Sequence, residues 1–288
     1  MRTVPVGGAD DDYVLERHVY EPHRAGLPKF GPYVRALWRR REFGFELSRS
    51  SLRAAHFGTV FGQLWLVISP LLLGAVYFVL VAIISGQSQG AEFFAHLLAG
   101  LFVFYFIAGA MTAGSKSVVG GGRLIMNMAF PRVLLPLSSV LTAFMRFLPT
   151  MAVLVVVGAI ARVPIGAHLL LALPLLAFIV VFASGMAMVF ATLQVYFRDT
   201  SNFLPYFTRM WLYLSPVLYY IDQVPEGLRP FSAFNPLFWL IGAWGELLVR
   251  GNVPSATVWL GCILWSVGTF VVGWLFLTSR EREFAVRI

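Results

Sequence analysis

Apolar residues in this chain fall in long runs, and not in the alternating pattern of a half-buried β-strand. A bilayer core about 30 Å thick is crossed by about 20 residues of α-helix, at about 1.5 Å per residue. Six runs are long enough to cross it: residues 57–84, 93–113, 133–161, 169–196, 203–220 and 253–277. The pattern therefore predicts an all-α integral membrane protein with six transmembrane helices.

A seventh apolar run, residues 237–249, has only 13 residues and is too short to cross the membrane as a helix. Backbone that enters a membrane without crossing it must pair with protein or line a water-filled route, because lipid offers no hydrogen-bond partner. We therefore predict extracytoplasmic re-entrant helices over about residues 223–250, before the last span. Such a segment favours a transport path.

The positions of Lys and Arg predict the orientation, because cytoplasmic loops carry an excess of these residues. With six spans, and counting from Arg39 onward, the segments before, between and after the spans on one side contain twelve of them, and those on the other side only three, Arg162, Arg229 and Arg250. This places both termini in the cytoplasm and the protein, as a multi-pass protein, in the cytoplasmic (inner) membrane. A seventh crossing would move the basic tail, residues 279–288, to the outside, against the charge balance.

An amphipathic interface helix is predicted over residues 31–56, between a polar cytoplasmic tail at residues 1–30 and the first span. Its apolar side chains fall on one face at 100° per residue, and Trp38 is placed to anchor it at the membrane surface. The charged face contains Arg39, Glu42, Glu46 and Arg49. The helix either rests on membrane lipid or docks a cytoplasmic partner through its charged face, and the two interpretations are compatible.

Composition and charge exclude several functional classes. Of 288 residues, 58% are hydrophobic and 12% are charged, against about 25% charged in a typical soluble domain. The net charge of +8 belongs to segments beside the spans, so it predicts no nucleic acid partner. The five histidines and Cys262 lack metal-ligand spacing, and no nucleophile or paired acids indicate hydrolysis. We expect no metal, cofactor or catalytic residue on this chain.

Two arginines interrupt apolar runs. Arg209 lies near the cytoplasmic start of its span, where a long side chain can reach the interface. Arg146 lies near the middle of residues 133–161, where a charge costs about 3 kcal/mol or more unless it is paired or faces water. We therefore expect Arg146 to face the bundle or a pathway, and not lipid.

The loop between the second and third spans is the candidate contact for an energy source, because the spans contain no Asp or Glu for proton coupling. Three glycines at residues 120–122 break the chain, and Pro131 ends the segment that follows. We predict a short cytoplasmic helix over about residues 121–130. Its central residues are Arg123, Leu124, Ile125, Met126, Asn127 and Met128.

Two motifs in order resemble the permease subunits of type-2 ABC exporters. The first, an F-P-R-x-x-L-P pattern, is formed by Phe130, Pro131, Arg132, Leu135 and Pro136. The second consists of Arg198 with Asp199, Ser215 with Pro216, and Asn235 with Pro236. The resemblance covers about residues 30–285, and its layout is most similar to exporters of O-antigen, teichoic acid and cell-wall polysaccharide. Arginine outnumbers lysine 20 to 2, which favours a GC-rich genome and, as a specific substrate, a lipid-linked galactan of an actinobacterial cell wall.

The resemblance implies a six-span permease domain, residues 57–278, that forms a homodimer above two copies of a separate ATP-binding subunit. That subunit would bind ATP and Mg²⁺, and the predicted short helix would act as a coupling helix. The substrate would be a polysaccharide linked to a polyprenyl pyrophosphate. A type-2 ABC permease for a drug or small lipid, and a membrane-embedded glycan transferase or scaffold, remain alternative functions.

Aromatic side chains suit a sliding sugar chain, because their faces make apolar contacts without fixed hydrogen bonds. The candidates for the glycan path are Trp65, Tyr77, Trp211, Tyr213, Tyr219 and Tyr220. Anchoring at the membrane interface or packing is the alternative interpretation of each residue.

Overall fold

The computed structural model of the chain describes residues 30–55, 64–86 and 90–288, and these residues are helical with no β-strand. The α-helices are α1 (Phe30–Arg39), α2 (Arg41–Ala55), α3 (Trp65–Ser85), α4 (Ala91–Gly120), α5 (Gly122–Asn127), α6 (Leu134–Ile160), α7 (Ala172–Tyr196), α8 (Thr200–Tyr213), α9 (Arg229–Ala233), α10 (Pro236–Gly245), α11 (Ala256–Arg280) and α12 (Phe284–Arg287). Short 3-10 turns are Ala167–Leu171, Ile221–Gln223, Glu226–Leu228 and Glu281–Glu283, and Glu246–Arg250 is a π-helical turn. The predicted all-α class is confirmed for this part of the chain.

Five helical segments among the described residues are long and apolar enough to cross a membrane. They are Val67–Ser85, Ala91–Gly120, Leu134–Ile160, Ala167–Tyr196 and Ala256–Arg287. Each overlaps a predicted span, so the protein is a multi-pass membrane protein. The start of the first predicted span, the end of the predicted interface helix and the tail at residues 1–29 lie outside the described residues.

The predicted span over residues 203–220 has a different form in the structure. Its helix, α8, has 14 residues, a rise of about 21 Å that is shorter than a bilayer core. The helix ends at Tyr213, and turns continue the chain to Tyr220. Pro216 lies in these turns and lacks the N–H that a continuing helix would need.

The helical bundle has two ends of different chemistry. We call the end that holds Tyr196 and the C-terminal residues the basic end; there the Tyr196 hydroxyl donates to the Glu283 carboxylate. At the other end, the opposite end, α4 starts and His96 packs on Tyr220 with ring centroids 4.3 Å apart. Residues 197–220 therefore run from the basic end to the opposite end as one short helix followed by turns.

The short apolar run predicted as re-entrant forms α10 and the π-helical turn after it. Asn235, the N-cap of α10, accepts a hydrogen bond from Trp211 Nε1 at 2.9 Å and donates one to the Leu214 carbonyl at 2.9 Å. The start of α10 therefore lies beside the last turn of α8, inside the bundle. At the end of the run, Arg250 reaches Glu92 at the opposite end, 4.0 Å away.

The amphipathic helix predicted over residues 31–56 is broken at Arg40 into α1 and α2. On the side of α2 that packs on the bundle, Ser48 is fully buried, and its hydroxyl donates to the Ser138 carbonyl on α6 at 2.7 Å. Phe43 is partly buried against apolar side chains of the bundle. By contrast, Trp38 is 68% exposed. The pair of helices thus packs on the bundle through both small and apolar residues and leaves the Trp38 side chain exposed.

Two further boundaries at the basic end differ from prediction. The helix α4 continues to Gly120, so residues 114–120, predicted as loop, are helical. The helix predicted over residues 121–130 ends earlier, at Asn127, and the chain is extended from Met128. A proline disfavours helical conformation at the residue before it, so Pro131 opposes a helix that would continue to Phe130.

The central helix of the fold is α4, which is mostly buried between α6 and α7. The helices α7 and α11 pack more closely than side chains would allow. A Cβ added at Gly185 would lie 2.5 Å from the backbone carbonyl carbon of Thr269, and one added at Gly273 would meet the Gly185 carbonyl oxygen. The two helices therefore touch backbone to backbone, as small residues permit in membrane bundles.

Gly185→Ala should force α7 away from α11 and lower Tm, because overpacking costs about 1–3 kcal/mol. The matched control is Gly268→Ala on α11, where an added Cβ meets nothing within 4 Å. Replacing glycine by alanine inside a helix stabilises it by up to about 1 kcal/mol, so this control should keep or raise Tm. Thermal unfolding in detergent measures both variants, and equal Tm values would contradict the close contact.

Candidate functional site

The first candidate surface lies at the basic end and centres on α5. Ile125 points inward, is 6% exposed and belongs to an apolar cluster with Phe130 and Phe284. Leu124 is partly buried against the same cluster. The outward-facing residues of this segment are Arg123, Met126, Asn127 and Met128. The predicted coupling residues thus divide into two inward-facing anchors and an exposed surface.

The charged face of α1 and α2 lies beside this segment. Phe43 on α2 packs on Phe130, which follows α5, with ring centroids 5.4 Å apart. The residues of the predicted charged face are all exposed: Arg39, Glu42, Glu46 and Arg49. The helices α2 and α5 therefore present exposed charged and polar groups at the same end of the bundle.

Glu281 connects three segments at the basic end. Its carboxylate accepts one hydrogen bond from the Tyr33 hydroxyl on α1 and one from the backbone N–H of Arg132, each at 2.6 Å. Glu281 is only 6% exposed. Burial, together with this carboxylate, raises the pKa of Tyr33, so its hydroxyl stays protonated and donates. The carboxylate therefore fixes α1 and the chain after α5 to the C-terminal segment.

Residues 279–288, predicted as a basic tail, form a packed segment. Phe284 is fully buried, and Ile288 lies so close to Gly122 that a Cβ there would be 2.6 Å from its side chain. Sequence reasoning missed the role of Glu281, since the net charge of a tail does not show which acid is buried. The available signal was the alternation of Glu and Arg directly before Phe284.

A cavity of about 600 Å³ lies between α3, α4 and α6. Most of its wall is apolar, and Trp65 of the predicted glycan path lines it. Two cationic side chains also line it, Lys116 from α4 and Arg146 from α6. The Nε of Arg146 is buried and has no hydrogen-bond partner among the described residues. The intramembrane charge that the sequence singled out therefore faces the inside of the bundle.

The other aromatic candidates do not line one continuous path within the chain. Tyr77 on α3 and Tyr213 on α8 interact with each other and with Tyr105 on α4, a residue that sequence reasoning did not select. Trp211 is buried and donates to Asn235, so it supports the start of α10. Of these three candidates, Tyr77 and Tyr213 are brought together and Trp211 has a separate contact.

The opposite end carries an ion cluster around Arg250. Its guanidinium lies near three carboxylates: Glu246 (3.0 Å), Asp222 (3.3 Å) and Glu92 (4.0 Å). It also stacks on Tyr220, 3.9 Å from the ring centroid, and the Tyr219 carbonyl lies 3.3 Å from His96 Nε2. Tyr219 and Tyr220 therefore belong to this cluster. Sequence reasoning missed Arg250 as its centre, although only three basic residues were predicted on that side.

The chain is similar in sequence to one protein family and to individual proteins of two bacteria. The model of a family described as ABC-2 type transporter matches residues 36–245, from within α1 to the end of α10. An O-antigen export system permease protein RfbA of Klebsiella pneumoniae is 28% identical over 227 residues, covering 77% of this chain and 87% of that protein. A protein of the same name from Myxococcus xanthus is 25% identical over 259 residues, covering 88% of this chain and 98% of its own length.

Glu281→Ala should release α1 and the C-terminal segment from the basic end. The Tyr33 hydroxyl and the Arg132 N–H would lose a buried acceptor, at about 1–3 kcal/mol. Hydrogen exchange measures the release as lost protection in residues 30–39 and 281–288.

Glu283→Ala is the matched control for this experiment. It makes the same change two positions away, in a side chain that is 39% exposed. Glu283 forms surface ion pairs with Arg280 and Arg287 and accepts a hydrogen bond from Tyr196 on α7, so its described partners all lie outside α1. Exposed ion pairs contribute little to stability, so protection of α1 should persist. Equal loss of protection in both variants would show that Glu281 has no special role.

Proposed function

The chain belongs to the ABC-2 type transporter family, and from this we propose that it is the transmembrane permease subunit of an ATP-driven exporter that moves a lipid-linked cell-envelope polysaccharide across the cytoplasmic membrane. The observation that carries the proposal is the family match, because it spans both the exposed surface at the basic end and the bundle. Relatives named for O-antigen export support a polysaccharide substrate. Family membership also favours a transport subunit over a glycan transferase or scaffold.

Six crossings are proposed, with residues 197–220 as the fifth. Support comes from the contacts of Tyr196 at the basic end and of Tyr220 at the opposite end. The excess of Lys and Arg at the basic end supports a cytoplasmic location for that end and for both termini. In this orientation α9 and α10 form a re-entrant hairpin on the outer side.

A separate ATP-binding subunit, in two copies beneath a homodimer of this chain, would contact α5 and the charged face of α2. That subunit would bind ATP and Mg²⁺, and its closure would push on exposed residues such as Arg123 and Met126. The helix α5 would not move alone, since Ile125 is buried against Phe284 and Glu281 binds the chain that follows α5. The basic end would therefore pass the movement to the spans as one unit.

The path for the sugar chain would be completed between two copies of the chain. Tyr213 is 48% exposed and interacts with Tyr77, so an aromatic surface faces outward from α8 and α3. Aromatic faces bind sugar rings through apolar contact and let a polymer slide. Trp65 lines the cavity near the basic end, whereas Trp211, Tyr219 and Tyr220 support the fold around the path.

A permease for a drug or small lipid is the second candidate function. The observation in its favour is the cavity between α3, α4 and α6. Its wall is mostly apolar, and its volume is that of a small-molecule site.

Depletion of the protein in its own organism should remove a polysaccharide from the cell surface and accumulate the same polymer, linked to lipid, inside the cell. Sugar analysis of both fractions measures this and distinguishes O-antigen, teichoic acid and galactan. Re-expression of the wild-type chain is the control. An unchanged surface glycan would contradict polysaccharide export and leave the small-molecule function.

Arg123→Glu combined with Met126→Glu should uncouple ATP hydrolysis from transport. Both side chains are exposed, so the spans should remain inserted. Charge repulsion at the contact with the ATP-binding subunit should reduce transport about ten-fold or more. Transport and ATP hydrolysis in reconstituted vesicles measure the effect, with Arg198→Glu, exposed at the same end, as control. Wild-type transport by the double variant would exclude α5 as the coupling helix.

A further inference from the structure

Two cationic side chains, Lys116 and Arg146, line the cavity between α3, α4 and α6. No Asp or Glu is among the described residues that line it, and neither Lys116 nor Arg146 forms an ion pair within the described part of the chain. Residues 56–63, which connect α2 to α3, also contain no acid. A cation at membrane depth is costly unless an anion or water compensates it. The cavity therefore selects for an anionic ligand.

The two cations converge along the bundle. Lys116 lies four residues before the end of α4 and Arg146 twelve residues after the start of α6, so their Cα atoms are about 6 Å and about 18 Å from the basic end. Helical side chains tilt toward the helix N-terminus. The N-terminus of α4 is at the opposite end and that of α6 at the basic end, so the two side chains tilt toward each other.

Most hydroxyl groups in the wall are already engaged as donors. They bond to carbonyls of their own helix: Ser138 and Ser139 to Leu135, Thr142 to Ser138, Thr150 to Phe147, and Ser117 to Gly114. A neutral sugar would find few free donors there. The cationic groups remain, and charged donors form the strongest hydrogen bonds to phosphate oxygens.

We propose that this cavity binds the phosphate group of an anionic membrane lipid, with Lys116 and Arg146 as its ligands. Its volume, about 600 Å³, lies within the usual range of ligand sites, about 300–1,000 Å³. Apolar side chains such as Leu73, Phe102 and Phe147 line the rest of the cavity and suit the first carbons of the lipid chain. The phosphate comes either from a bilayer phospholipid or from a polyprenyl diphosphate. The polyprenyl diphosphate, but not the phospholipid, rests on the proposed function.

Binding of defined lipids to the full-length protein, purified in an uncharged maltoside detergent, tests the proposal. The probes are short-chain phosphatidylglycerol and farnesyl diphosphate, each compared with its phosphate-free counterpart, diacylglycerol or farnesol. Both phosphate lipids, or one of them, should bind, and the phosphate-free lipids should not. Arg146→Gln should raise Kd about ten-fold or more, because a charge-assisted hydrogen bond is lost.

Arg198→Gln is the matched control, since it removes an exposed arginine at the basic end that does not line the cavity. It should leave Kd unchanged. If Arg146→Gln does not fold, Lys116→Gln replaces it, because Lys116 is exposed to the cavity mouth and its loss leaves the core intact. Arg146→Lys should recover most of the affinity, whereas a purely structural role of Arg146 would make the Lys and Gln variants equally weak.

The outcomes separate the two sources from failure of the site. Tighter binding of farnesyl diphosphate assigns the cavity to the carrier lipid, and equal or tighter binding of phosphatidylglycerol assigns it to bilayer phospholipid. If phosphatidylglycerol binds but depletion of the protein leaves the surface glycan unchanged, the lipid site is supported and the export function is contradicted. Equal binding of phosphate-free lipids, or equal effects of Arg146→Gln and Arg198→Gln, would overturn the proposal.

Discussion

Backbone N–H and C=O groups at membrane depth need partners within the protein, and the architecture follows from how the chain supplies them. The long helices supply these partners internally. Where helix stops between α8 and α10, local backbone hydrogen bonds such as that from the Val217 N–H to the Ser215 carbonyl supply some of them. The Asn235 side chain supplies others, since it donates to the Leu214 carbonyl and accepts from the Leu237 N–H. These bonds accommodate turns and a short helix beside α8.

The two ends of the bundle are joined by different kinds of interaction. At the basic end, the buried carboxylate of Glu281 binds α1 and the chain after α5 by short hydrogen bonds, which salt screens less than exposed contacts. At the opposite end, Arg250 joins its carboxylates in partly exposed ion pairs, which contribute less and are screened by salt. This difference suits a more rigid connection at the basic end than at the opposite end.

The candidate site was only partly predictable. Charge and motif spacing located α5, yet the structure divides its residues into an anchor at Ile125 and an exposed surface that includes Arg123. Hydropathy singled out Arg146, but not Lys116, its companion in the cavity, because residues 114–120 were predicted as loop and form the end of α4. The aromatic candidates had no common local feature, so only packing separated the pair Tyr77 and Tyr213 from Trp211, which binds Asn235, and from Tyr219 and Tyr220 at the ion cluster.

The sequence by itself determined the membrane class, the positions of the long helices and the unequal charge of the two ends, because apolar length and charge are local properties. Only the tertiary structure decided that residues 203–220 form a short helix with turns, that Ser48 and not Trp38 faces the bundle, and that Glu281 is buried. Glu281 meets partners 248 and 149 positions away in the chain. Whether an acid is buried and paired depends on such distant neighbours, which hydropathy and spacing do not encode.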